Sequence, residues 1–104
     1  MDDNKYISER VLEAIKPTGE RIKISVGVGV PYKDSEYDSW ACPVKAEGLH
    51  KNLAAMHGID SWQALREAQK LILTILVHFV EDGGKLYIFG EDEEVAINEV
   101  HQYF

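Results

Sequence analysis

The spacing of apolar residues between Gly58 and Gly84 predicts one long helix. At roughly 100° per residue, one broad side of this helix carries Leu65, Ala68, Leu71, Ile72, Ile75, Leu76 and Phe79, extended by Trp62, Leu73 and Val80. Asp60 and Gln63 have the spacing of a capping box, and Gly83 is suited to the helix stop. The apolar arc covers about half the circumference, which is wider than a surface helix needs. We expect its flank to be covered by a terminal segment, by a partner or by a second copy of the chain.

Alternating apolar residues ahead of the helix predict a β-hairpin. Residues 6–16 form its first strand, and the mixed faces of that segment are typical of an edge strand. Residues 20–30 form the second strand, after the turn Pro17-Thr18-Gly19. Gly27 and Gly29 leave one face of it bare, which indicates a bulge, a bend or the close approach of another backbone.

The remaining segments are shorter and less regular. Residues 31–39 are expected to be a polar loop, and residues 40–47 a third strand in which Pro43 favours an edge or a bulge. The middle of the connection 48–58, at residues 51–57, is expected to form a short helical turn. The apolar residues 85–89 predict a short central strand of the sheet, whereas residues 95–104 fit either a helix or a returning strand.

Together these elements predict an α+β fold. An antiparallel sheet of about four strands packs on one long helix, in the order β-β-β-α-β, followed by a C-terminal helix or strand. We expect a single domain over residues 1–104, with residues 1–5 as a loose tail.

The octapeptide Gly58-Ile59-Asp60-Ser61-Trp62-Gln63-Ala64-Leu65, after the strand Trp40-Ala41-Cys42-Pro43-Val44, resembles a known pattern. It is similar to the helix start of a family of small bacterial proteins of unassigned function. The resemblance implies a sheet packed on one long helix over nearly the whole chain. It implies no catalytic residues.

Charge narrows the possible partners. Eleven Lys and Arg against 18 Asp and Glu leave a formal charge of −7. Binding to nucleic acid is disfavoured because phosphates are neutralised by Lys and Arg, while a basic protein is favoured as a partner. A single cysteine and the absence of a signal-peptide pattern at the start predict a cytoplasmic protein. The apolar run 71–80 is too short to span a membrane.

The residues that commonly carry chemistry lack the required spacing. His50, His57, His78, His101 and Cys42 match no zinc motif, so we expect no metal and no cofactor. Cys42 is in phase with apolar neighbours and is expected to be a buried thiol. Since no reaction class has two of its required parts, we expect no enzyme.

Acidic residues and tyrosines form the candidate site. Acids alternate along the loop 31–39, and a second acidic run covers residues 91–94. These are either solvated turns that keep the protein soluble or a surface for a basic partner, with tyrosines as anchors. The residues predicted to bind a partner are Tyr32, Asp34, Glu36, Tyr37, Asp38, Glu91, Asp92, Glu93 and Glu94.

Three functional hypotheses follow. The leading one is a non-catalytic acidic binding domain, in its sharpest form an immunity or antitoxin-like inhibitor of a basic toxin such as a nuclease. The alternative is a structural or homo-oligomeric accessory protein that dimerises through the flank of the central helix around Leu73 and Val77. The third is a small-ligand site between helix and sheet, lined by Trp40 or Trp62.

Overall fold

The computed structural model describes residues 6–104, so the expected tail at residues 1–5 lies outside the described part. The strands are β1 (Tyr6–Ile15), β2 (Arg21–Gly29), β3 (Tyr32–Asp34), β4 (Ser39–Cys42), β5 (Val44–Glu47), β6 (Met56–Gly58) and β7 (Lys85–Ile88). The helices are α1 (Ser61–Glu81) and α2 (Ile97–Tyr103). An antiparallel four-stranded sheet has the order β5-β2-β1-β7, and a small sheet has the order β3-β4-β6. The predicted α+β class is confirmed. The small sheet was not predicted, and the expectation of a central strand at residues 85–89 was wrong, because β7 lies at the edge of the four-stranded sheet.

The β1–β2 hairpin is confirmed, but β1 is not an edge strand. It lies between β2 and β7, and residues 12–15 pair with residues 85–88. Leu12 and Ala14 point into the core and are buried, whereas Ile7 and Val11 lie on the opposite, exposed face. The mixed faces therefore reflect a strand with one buried and one open side, as antiparallel sheets allow.

Gly27 allows a close approach on the open side of the four-stranded sheet. A Cβ at Gly27 would lie 2.9 Å from the carbonyl oxygen of Ser8 and 3.2 Å from Cε of Lys45. The β1–β2 register shifts beside it, between Tyr6 and Ser8. The predicted bulge and close approach are both present, and Lys45 crosses β2 over this gap to an ion pair with Glu9.

The predicted third strand divides at Pro43. Its first part is β4 in the small sheet, and its second part is β5 at the edge of the large sheet. Proline has no N–H to continue a ladder, and the Pro43 carbonyl instead accepts from the Gly29 N–H at 2.9 Å. The predicted polar loop 31–39 contains β3, and the segment 48–58 ends in β6 without the expected helical turn. Both expectations were wrong because these strands are too short to show an alternating pattern.

The central helix is confirmed as α1. The Asp60 carboxylate accepts from the Gln63 N–H at 2.8 Å, and the Gln63 side-chain oxygen accepts from the Ile59 N–H at 2.7 Å. At the other end, Gly83 adopts φ 104°, and its N–H donates to the Val80 carbonyl at 3.0 Å. The residues that the sequence predicts as caps, Asp60, Gln63 and Gly83, therefore lie at the two ends of the helix.

The core lies between α1 and the four-stranded sheet. The buried residues of α1 are Ala64, Ala68, Ile72 and Leu76. The helix α2 packs along α1 and buries Val100, so a terminal segment covers part of the flank. Before α2, the Val95 N–H donates to the Leu86 carbonyl at 2.7 Å. The C-terminal region therefore contains the predicted helix, and the two residues Glu94 and Val95 ahead of it lie beside β7.

Candidate partner-binding surface

The β3–β4 hairpin carries five of the nine residues predicted to bind a partner. Asp34 shapes its turn, because Asp34 Oδ1 accepts from the Glu36 N–H at 3.1 Å. Asp38 closes the turn with φ 48°, a left-handed conformation that aspartate tolerates. The hairpin thus presents acidic side chains at a tight and ordered turn.

A histidine from β6 holds this hairpin from the side. Tyr32 pairs with Ala41, which pairs with His57, so all three side chains share the outer face of the small sheet. Asp34 Oδ2 reaches across the central strand to within 3.2 Å of His57 Nε2. The contact is possible because the residues between them on β4, Ser39 and Ala41, are small.

Tyr37 completes this arrangement. Its ring meets the His57 ring edge-on, with centroids 5.2 Å apart and an interplanar angle of 68°. The Tyr37 side chain is nonetheless 65% exposed, and Tyr32 is also exposed. Both tyrosines have an accessible surface for a partner.

The hairpin acids differ in how far they are already paired. Lys33 Nζ lies 3.6 Å from Asp38 Oδ1, and both side chains are exposed. Such a surface pair stabilises the fold little and is easily exchanged. Glu36 is exposed and forms no side-chain hydrogen bond or ion pair within residues 6–104. Glu36 and Asp38 are therefore the acids most open to a partner.

The second acidic group lies elsewhere. Glu91, Asp92, Glu93 and Glu94 follow β7 and line an open cleft of about 670 Å³ together with Arg10. No hydrogen bond or ion pair joins them to the β3–β4 hairpin within the described chain. The structure thus divides the predicted site into two groups, and Arg10 lines the same cleft as the second.

The candidate chemical residues are dispersed. Among the described residues, no three His, Cys, Asp or Glu side chains lie together in a way that would hold a metal ion. Cys42 is fully buried as expected, and its Sγ donates to the Gly29 carbonyl at 3.4 Å. Burial raises the pKa of the Cys42 thiol.

A small cleft of about 170 Å³ lies between the β1–β2 hairpin and the helices. Arg10, Gln69 and Phe104 are among its lining residues, whereas Trp40 and Trp62 are not. Trp62 is 77% exposed and points away from the core, which corrects its placement on the buried side of the helix. No helix within residues 6–104 is long and apolar enough to cross a membrane.

Sequence reasoning missed the contribution of β6 and the start of α1 to this surface. From the sequence, His57 is considered only as a candidate metal ligand and Ile59 only as part of the helix start, whereas Trp62 is assigned to the apolar side of the helix or to a small-ligand site. No sequence signal links His57 to Asp34, because the contact depends on a pairing of short strands distant along the chain. The exposure of Trp62 was open to prediction, since it lies at the edge of the apolar arc.

The fold and this surface define an α+β domain in which a capped helix packs on an antiparallel sheet and an acidic hairpin projects beside it. Residues 8–98 match the family described as "Domain of unknown function (DUF6968)", and the chain belongs to that family. Comparison with curated proteins gives no match, and neither does comparison with solved structures.

Proposed function

We propose that this protein is a non-catalytic acidic binding domain whose β3–β4 hairpin receives a basic partner protein. The observation that carries the proposal is the pairing of exposed acids with exposed tyrosines on one ordered turn. Glu36 and Asp38 supply negative charge, and Tyr32 and Tyr37 supply apolar area. Aromatic residues are enriched at the centres of protein interfaces, and charges at their rims govern the rate of encounter.

An immunity or antitoxin-like inhibitor is the sharpest form of this proposal. The net charge of −7 suits a protein that must find a basic toxin quickly. The hairpin is ordered by Asp34 and His57 before any partner arrives, so little conformational entropy is lost on binding. We place the protein in the cytoplasm because its single cysteine needs no oxidising compartment.

Two variants with equal charge change test the proposal. Glu36→Gln with Asp38→Asn neutralises the hairpin, and Glu91→Gln with Glu93→Gln neutralises the other acidic group. A basic protein captured by the wild type from cells that express it naturally is purified, and its association rate is measured against salt concentration. We expect about a tenfold slower association at low salt for the hairpin variant and a flatter salt dependence. Equal association rates for the wild type and the hairpin variant would refute the proposal.

The homo-oligomeric alternative retains one supporting observation. Leu73 and Val77 on α1 are only partly buried although both are apolar. Sedimentation of the wild type, of Leu73→Glu and of Val77→Glu tests this alternative. A dimer that either substitution dissociates supports it, and a monomeric wild type contradicts it.

A further inference from the structure

A cluster of large side chains is exposed where β6 meets α1. Ile59 is 83% exposed, Trp62 77% and Tyr37 65%. We call these three residues the corner patch. Single exposed apolar residues are ordinary, but adjacent ones on a monomer often mark an interaction site.

The strand pairing and the helix start bring these residues to one corner of the molecule. Gly58 pairs with Trp40, so Ile59 follows directly at the end of the small sheet. Trp62 lies in the first turn of α1, three positions beyond Ile59. Tyr37 reaches the corner through its edge-on contact with His57, two residues before Ile59.

Hydrogen bonds hold the backbone that carries Ile59 and Trp62. The Ile59 N–H donates to the Gln63 side chain at 2.7 Å, and the Gln63 N–H donates to Asp60 at 2.8 Å. These two bonds fix the backbone on either side of the helix start. A backbone that is already fixed loses little conformational entropy on binding, and large aromatic and aliphatic side chains on it are suited to dominate an interface.

We propose that the corner patch is the anchor of the interface with the basic partner, the exposed apolar side chains entering a pocket on that partner. This inference rests on the proposed function and adds that the interface extends from the hairpin onto the helix start. Glu36 and Asp38 flank Tyr37 along the chain, and Asp60 lies between Ile59 and Trp62, so a second copy of this chain would bring like charges together. A partner with basic residues around an apolar pocket complements both the charge and the exposed rings.

Photo-crosslinking of the full chain tests the placement of the interface. The crosslinker p-benzoylphenylalanine is placed at position 62 and, as the control, at position 89, where Phe89 is exposed at the end of β7. In cells that naturally express the protein, we expect position 62 alone to yield a crosslinked protein, identified by mass spectrometry as basic. Equal crosslinking at both positions, capture of an acidic protein, capture of a second copy, or no crosslinked product at position 62 would overturn the inference.

A kinetic comparison with the captured protein distinguishes this inference from the broader proposal. We expect Trp62→Ala to speed dissociation by about tenfold while leaving the association rate unchanged, because anchors act after encounter. Trp62→Phe keeps a large ring, so we expect its dissociation rate to stay close to that of the wild type. Should the hairpin variant slow association while Trp62→Ala leaves dissociation unchanged, the proposed function stands and the corner patch is not the anchor. Circular dichroism checks that both variants fold, which we expect because the position is exposed.

Discussion

Gly58 offers the sharpest test of how the corner beside the acidic hairpin is built. A Cβ at this position would lie 2.6 Å from the Ala64 nitrogen and 2.8 Å from Cβ of Gln63. Real Cβ atoms do not approach so closely, and the atoms that they would meet belong to the first turns of α1 rather than to a flexible side-chain end. The φ of Gly58 is not positive, so the backbone conformation itself suits any residue. Gly58→Ala thus introduces crowding without backbone strain.

The expected cost follows from what has to move. Relief of the crowding requires β6 to shift away from α1, which disturbs its pairing with Trp40. Overpacking of a well-packed site costs about 1–3 kcal/mol, and we expect the upper end because a helix backbone yields little. For a domain of this size, about 3 kcal/mol lowers Tm by roughly 15 °C.

Gly19→Ala is the matched control because it introduces backbone strain without crowding. Gly19 adopts φ 94°, yet no atom lies within 4 Å of a Cβ built there. Backbone strain alone should cost about 1 kcal/mol. Urea unfolding followed by circular dichroism gives both free energies. If Gly58→Ala destabilised the protein no more than Gly19→Ala, the proposed crowding between β6 and α1 would be wrong.

Three further outcomes are expected. The Cys42 thiol should react with a disulfide reagent roughly 100-fold more slowly in the native protein than in urea, because it is buried and its pKa is raised; equal rates would show that the site opens freely. Lys45→Met should lower stability at neutral pH by about 1–2 kcal/mol, since Glu9 loses its partner across the gap at Gly27. Burial opposes the charge of Lys45, but the carboxylates of Glu9 and Glu47 outweigh burial and raise the pKa of Lys45. The stabilisation therefore persists at neutral pH and fades as the pH rises through that pKa. A constant difference in unfolding free energy between wild type and variant up to strongly alkaline pH would contradict this. Asp60→Ala should cost about 1 kcal/mol and Asp60→Asn much less, as measured by urea unfolding; an equal loss for both would indicate that charge rather than capping is responsible.

Several elements were open to prediction because their causes are local. The helix α1 is specified by a repeat of apolar residues and by Asp60 and Gly83 at its ends, all within one segment. The β1–β2 hairpin is specified by the turn beginning at Pro17 and by the strict alternation of β2. Hydrogen bonds of helices and hairpins join neighbouring residues, so sequence patterns contain most of the information they need.

The candidate site was only partly predictable. The acids and tyrosines of residues 31–39 were identified as a group from composition alone, and the structure places them on one hairpin. Their separation from residues 91–94 was not predictable, since it depends on which edges of the two sheets the chain reaches. Charge counts along a sequence contain no information about distances between segments.

By itself, the sequence determined a long capped helix, a β-hairpin to cover it, a buried thiol and an acidic surface. The tertiary structure alone decided that Pro43 passes the chain from one sheet to the other, and that Asp34 meets His57 across small residues. The physical reason is the length of β3 and β6, three residues each, which is too short for an alternating pattern. Strands of that length depend on their partners: β3 pairs with β4, and β6 pairs with β4 and packs against α1.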